Sequence, residues 1–186
     1  MFKITGQIPD EFILNGESFS LVGLKGQGLF KPEDFGIIPY FTCTACWRGY
    51  VMRYIFTSSK LFLDGMRVNV EDPPKINGVK PEAGDSLFKY DYSNLNLKTK
   101  FTGTILLAKD FIESMYVHMG FQRPIAFKTV VEIKIARGDI ISLKDLSKKI
   151  EEYRSQDPYK GAQPQTDSQK DIEKWVQKMF SLDYDL

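Results

Sequence analysis

The sequence predicts an α+β fold that is mainly antiparallel β: a curved sheet, barrel or sandwich with helices toward its C-terminal end. Three observations carry this. Aromatic residues reach 13%, with fourteen Phe and nine Tyr, and aromatic side chains fit the pleated, half-buried surface of a sheet. Residues 12–24, FILNGESFSLVGL, match residues 54–66, YIFTSSKLFLDGM, at a spacing of 42 positions. Aromatic meets aromatic, turn meets turn and Gly23 meets Gly65, as expected of two related β-hairpins. Convincing helical periodicity is found only after residue 140.

The elements follow in order. Residues 2–5 suit a short first strand. Residues 10–14 and 17–24 form the first hairpin, because Asn15-Gly16 between apolar flanks fits a type I′ turn with positive φ at both central positions. That loop sets Leu14 opposite Glu17, Phe12 opposite Phe19 and Asp10 opposite Leu21. Such cross-strand pairs contribute about 0.2–1 kcal/mol each. Residues 23–36, GLKGQGLFKPEDFG, read as a loop with one helical turn at 32–35, since Pro suits a first helical position. Residues 47–56 make a long strand, with Trp47, Val51, Arg53 and Ile55 on one side and Arg48, Tyr50, Met52, Tyr54 and Phe56 on the other. Residues 60–70 return from Thr57-Ser58-Ser59.

Residues 71–86, EDPPKINGVKPEAGDS, read as a loop from their prolines and lack of periodicity. Short strands fit 87–92 and 101–108. Residues 110–115 suit helix or strand, and 116–121 read as extended. Residues 126–136, AFKTVVEIKIA, alternate as a half-buried strand does. Arg137-Gly138-Asp139 turns the chain. Ser142 suits the N-cap of a helix over 143–154, with Leu143, Leu146, Ile150 and Tyr153 at helical spacing. Residues 155–165 form a polar linker. Asp167 or Ser168 caps a last helix striped by Ile172, Trp175, Val176, Met179 and Phe180. The chain thus divides into a β-rich domain over 1–154 and a linker with an amphipathic helix over 155–186.

The totals restrict function. A chain of 186 residues buries enough core to need neither disulfides nor a metal. Its 25 basic and 24 acidic residues leave a net charge of +1, no global field to draw in nucleic acid or an anionic membrane. The N-terminal MFKITGQIPDEF lacks the basic and apolar regions of a signal peptide, and no apolar run is long enough to span a membrane. A soluble, cytoplasmic protein is expected.

Motifs with chemical potential are few. Cys43-Thr44-Ala45-Cys46 is a CxxC, but a strand pattern follows it rather than the helix that activates a redox thiol. Zinc needs about four N or S ligands, and the chain holds two Cys and one His. The pair reads as small hydrophobes entering a strand. Gly23-Leu24-Lys25-Gly26-Gln27-Gly28 has neither phosphate-cradle spacing. No catalytic, metal or cofactor site is expected. Trp47, Arg48, Tyr50 and Arg53 interleave aromatic and basic residues, a composition enriched at protein hot spots and on base-stacking platforms. With His118 and Arg123 they form the candidate binding set, and the neutral charge favours a protein partner over nucleic acid.

The function expected first is a non-enzymatic domain that binds another protein, an immunity-type protein that neutralises a toxin being one instance. A small-molecule or lipid-binding β-barrel comes second. An enzyme with its site near Asp110, His118 and Arg123 comes third.

Overall fold

The Asn15-Gly16 hairpin forms in the register its sequence dictates. Asn15 and Gly16 take φ of 54° and 79°. They join β1 (Glu11–Leu14) to β2 (Glu17–Gln27) with Leu14 opposite Glu17 and Phe12 opposite Phe19. The Leu21 amide donates to the Asp10 carbonyl at 2.9 Å. This is a computed structural model that describes residues 6–157 and 161–184; the strand expected over 2–5 lies outside them. β2 runs on to Gln27 through the glycines read as loop, because β8 (Thr102–Phe111) pairs with it along that length. The turn at Pro32–Phe35 forms as a short 3-10 helix.

The second hairpin joins β3 (Tyr50–Thr57) to β4 (Lys60–Val68). β3 starts three residues later than its sequence pattern suggests, so Trp47 and Arg48 lie in the turn before it. Gly49, at φ 72°, redirects the backbone there. The 42-residue spacing is the register between hairpins: β1 runs parallel to β3 with Glu11 beside Arg53, Phe12 beside Tyr54 and Ile13 beside Ile55. Their core faces agree, and the Phe12 and Tyr54 rings stack at 4.8 Å. Their hands do not. β2 flanks β1 on one side and β4 flanks β3 on the other, so a rotation that superposes the hairpins turns one core face outward.

Short strands extend β4: β5 (Glu82–Ala83), β6 (Tyr90–Tyr92) and β7 (Leu97–Lys98). β6 and β7 both pair with β4, and β5 pairs with β6. β8 ends at Phe111 and a 3-10 turn follows at Glu113–Met115, so residues 110–115 divide between strand and turn. Residues 116–121, read as extended, join no strand; their pairing is a single parallel bridge between Gly6 and Gly120. β9 (Phe127–Ala136) forms as its alternation predicts.

The helix expected over 143–154 is corrected at its start. Residues 139–145 are β10 (Asp139–Asp145), and α1 (Ser147–Gln156) begins only after it. Ser142 therefore caps nothing; it lies opposite Lys134, as Leu143 lies opposite Ile133. Pairing with β9 outweighs the helical spacing of Leu143, Leu146 and Ile150. Ile150 alone of these is buried, packed with Val22, Leu106, Phe127 and Val130 on the outer face of the sheet.

β10 also closes the structure. The strand order β10-β9-β8-β2-β1-β3-β4 returns to β10 through Asp139 opposite Lys60, giving a seven-stranded barrel. Phe12, Leu21, Met52, Tyr54, Leu61 and Phe101 are fully buried in the core. A ring of about eight strands is just wide enough for side chains to fill. The terminal helix, α2 (Gln169–Met179), is capped by Ser168, whose Oγ accepts from the Asp171 amide. It docks on its own chain. The Phe121 amide donates to the Met179 carbonyl at 2.7 Å, and beyond α2 the Leu24 amide donates to Leu182. Among the described residues no helix is long and apolar enough to cross a membrane.

Closure rests on the Arg137-Gly138 turn, with φ of 49° and 84°. The Gly138 amide donates to the Phe101 carbonyl and its carbonyl accepts from Leu61, both at 2.8 Å. A Cβ there would lie 2.3 Å from the Thr99 carbonyl oxygen, whereas one on Gly16 meets nothing within 4 Å. Gly16→Ala, with backbone strain alone, is expected to cost about 1–2 kcal/mol. Gly138→Ala, with strain and overlap, is expected to cost about 2–4 kcal/mol. Urea unfolding of both variants checks this, and equal losses would mean that the seam carries no special weight.

Candidate functional site

Three buried polar side chains fix the loop over residues 37–49 against the barrel. Gln7 reaches it first: its Nε2 donates to the Thr44 carbonyl at 2.8 Å and its Oε1 accepts from the Trp47 amide at 2.9 Å. The Ile8 amide adds a bond to the Ala45 carbonyl at 2.8 Å. Asp10 takes the next position. Its carboxylate accepts from both terminal nitrogens of Arg48, at 3.2 and 3.0 Å, and from the Met52 amide at 2.9 Å. The Arg48 guanidinium lies against the rings of Tyr50 and Phe121, 4.8 and 5.5 Å from their centroids. Burial works against its charge, but Asp10 more than restores it, and the net shift is upward.

Asn69 is the third. It is 3% exposed and uses every polar group it has. Its Nδ2 donates to Thr42 Oγ1 at 2.9 Å and to the Leu87 carbonyl at 3.0 Å. Its Oδ1 accepts from the Lys89 amide at 2.8 Å. Its own carbonyl accepts from Tyr40, and its amide donates to Gly49. One side chain at the end of β4 thus ties the 37–49 loop to the 85–89 loop. Asp85 finishes the second loop by accepting from the Leu87 and Phe88 amides at 2.8 and 2.9 Å.

The two pinned loops hold apolar side chains in water. Ile38 is 82% exposed, Phe41 57% and Leu87 38%. Thr42 Oγ1 and the Leu87 carbonyl share the Asn69 amide, so Phe41 and Leu87 are carried on neighbouring backbone. Trp47, at the far end of the same loop, keeps one ring face stacked on Phe180 at 4.8 Å and is 49% exposed.

Of the site residues the sequence suggested, Arg48 and Tyr50 are in contact, and each of the others has a partner outside the set. Arg48 turns inward onto Asp10. Tyr50 packs against Arg48, and burial pushes its phenol up from the ordinary 10.0. Arg53 bonds Asp64 across the hairpin at 2.9 Å. His118 is exposed and sits edge-on to Tyr116 at 4.7 Å. Arg123 is desolvated, which lowers it, with Asp157 opposing. Asp110 accepts from Thr129 Oγ1 at 2.7 Å. Asp110, His118 and Arg123 are each engaged with a different neighbour. Sequence reasoning missed Asn69, Gln7, Ile38, Phe41 and Leu87. A lone Asn or Gln carries no motif, and an exposed Ile or Phe reads in sequence like a core one.

The chemistry available is limited. Among the described residues no three His, Cys, Asp or Glu gather as metal ligands. A groove of about 540 Å³ beside α1 is lined by Lys128, Asp145, Ser147, Lys148, Glu151 and Arg154. Asp145 there accepts from the Ser147 amide, and Arg154 donates to the Ile125 and Phe127 carbonyls. Comparison with protein-family models, curated proteins and solved structures finds no match to this chain. The reading of the site therefore rests on its geometry.

Two outcomes follow from the anchors. Asp10→Ala leaves Arg48 without its counter-ion and is expected to cost about 2–4 kcal/mol, less than a fully buried pair because Arg48 keeps some contact with water. Lys89→Ala, at an exposed pair with Glu71, should leave urea unfolding nearly unchanged, and equal effects would remove Asp10 as an anchor. Asp85 is the pH-sensitive member. The Leu87 and Phe88 amides, then Arg67, hold its carboxyl below the ordinary 3.8. A depressed acid stabilises the fold above its unfolded value and stops doing so as pH falls through its folded value. The Leu87 and Phe88 amide NMR signals should therefore titrate below pH 3.8, and Asp85→Asn should abolish that titration.

Proposed function

We propose that this protein is a non-catalytic binding domain that contacts another protein through the surface bearing Ile38, Phe41 and Leu87. The observation that carries the reading is that Phe41 and Leu87 stand exposed on neighbouring backbone locked by buried Asn69, with exposed Ile38 three residues before Phe41. Single exposed hydrophobic residues are ordinary, but contiguous apolar patches mark interaction sites, and Phe41 and Leu87 on their shared anchor offer the start of one. A pre-organised surface loses little entropy on binding, so more of its apolar contact appears as affinity. An immunity-type protein, which neutralises a toxin by covering it, is one instance of this class.

The other expectations draw less support. A ligand-binding barrel needs an empty interior, and here Phe12, Tyr54, Leu61, Leu63 and Phe101 are buried together in the core. The Tyr54 hydroxyl donates to the Phe30 carbonyl at 3.1 Å, which holds that ring in place. An enzyme reading has no shared contact among Asp110, His118 and Arg123 to build on.

The test places a photo-crosslinking amino acid at Phe41 in the native host, with a second one at exposed Lys75 as the control. One discrete adduct is expected from position 41, lost when Ile38→Asp or Leu87→Asp is added. No adduct, or the same adduct from position 75, would overturn the reading.

A further inference from the structure

The CxxC packs ahead of a strand as its sequence reading expects, and its backbone conformation adds something to that reading. Residues three apart on a strand point to opposite sides, but Cys43-Thr44-Ala45-Cys46 is a turn, not a strand. Its ends oppose each other as an antiparallel bridge, with the Cys46 amide donating to the Cys43 carbonyl at 3.2 Å. The ends of a β-turn have Cα atoms within about 7 Å of each other. A disulfide spans Cα separations of about 4.4–6.8 Å. Both cysteines are free.

The turn is also held from outside. Gln7 Nε2 bonds the Thr44 carbonyl, the Ile8 amide bonds the Ala45 carbonyl, and Gln7 Oε1 accepts from the Trp47 amide just beyond. Backbone bonds on both central residues keep its two ends together whatever the state of the sulfurs. Linking them exchanges the Cys46 thiol's bond to the Tyr50 carbonyl for a bond to Cys43.

The two thiols are unequal. Cys43 is half-buried. Cys46 is 2% exposed, packed with Val51 and Phe88, and its thiol donates to the Tyr50 carbonyl at 3.3 Å. Burial pushes the Cys46 thiol up from 9.0, with Arg48 opposing. An external oxidant therefore meets Cys43 first, and Cys46 is sheltered until a partner sulfur is brought beside it.

We propose that Cys43 and Cys46 form a reversible dithiol–disulfide pair that exchanges with low-molecular-weight disulfides of the glutathione class. The Cys43 thiolate attacks one sulfur of oxidised glutathione, forming a mixed disulfide and releasing one glutathione thiolate. Cys46 loses its proton and attacks Cys43 Sγ, breaking the mixed disulfide and releasing the second glutathione. Two S–H bonds of the protein are lost, one S–S bond is gained, and one oxidised glutathione becomes two reduced molecules. This is ordinary thiol–disulfide exchange through a mixed disulfide. The oxidised form clamps the turn at the end of the 37–49 loop. The pair rests on the turn's own geometry and stands whether or not the Ile38–Phe41–Leu87 surface binds a protein.

The test equilibrates the folded chain with graded mixtures of reduced and oxidised glutathione, quenches with acid, alkylates free thiols and reads intact mass. Both thiols are expected to disappear together, leaving one species two hydrogen atoms lighter and free of glutathione. Repeating the titration in urea separates geometry from sequence proximity. The folded pair should oxidise at an effective concentration at least about tenfold above the unfolded pair. Cys46→Ser should instead accumulate one glutathione on Cys43. The proposal is overturned if both thiols remain alkylatable in every mixture, if the native chain stops at a stable mixed disulfide, or if folding gives no advantage over urea.

Discussion

A single turn completes the barrel, and the rest of the architecture depends on it. β10 meets β4 through one residue pair, Asp139 with Lys60. The backbone bonds around it, Leu61 to Gly138, Ile140 to Ser59 and Gly138 to Phe101, join three segments at one point. The Lys98–Asp139 ion pair at 3.2 Å lies on the exposed side of this junction, where such a pair contributes little. Directed backbone bonds and the missing side chain of Gly138 make the closure. Without it β10 would present an unpaired edge, and so would β4 at Lys60, the end that β6 and β7 do not cover; sheets otherwise have to protect such edges.

A second layer of constraint is polar and buried. Gln7, Asp10 and Asn69 lie where an unpaired polar group would be costly, and each has its partners. Buried polar groups that are fully satisfied specify one arrangement more sharply than apolar packing, because any alternative leaves a donor or acceptor without water. Here they specify a loop that would otherwise have little to hold it. The barrel supplies rigidity, the three polar residues pass it outward, and Phe41 and Leu87 stand exposed beside the residues that Asn69 holds.

Much of the fold was legible in the sequence, and the reasons are local. Asn15-Gly16 admits one turn geometry, so the register of β1 and β2 followed from it. The alternation in β9 has period two and admits one element. Ser168 caps α2 as a helix N-cap should. β10 was not legible because Leu143, Leu146 and Ile150 satisfy a helical pattern while residues 139–145 satisfy a strand. The decision lies with β9, distant neither in space nor in sequence but invisible to periodicity. The site was less legible still. Arg48 has the composition of a binding residue, yet its guanidinium is spent on Asp10. Asn69 joins two loops but looks, in sequence, like any other asparagine.

The opposed hands of the two hairpins bear on how the sequence arose. A tandem duplication would give two units of the same hand, each with its turn on the same side of its leading strand. Here the leading strands are parallel neighbours and the units diverge from them as left and right. The likeness between residues 12–24 and 54–66 is therefore not a fossil of copying within this fold. It matches a shared demand on adjacent places, where Phe12 lies flat against Tyr54 and Ile13 lies beside Ile55. Self-similarity in a β-protein can thus mark which strands live side by side, a contact signal rather than an ancestry signal.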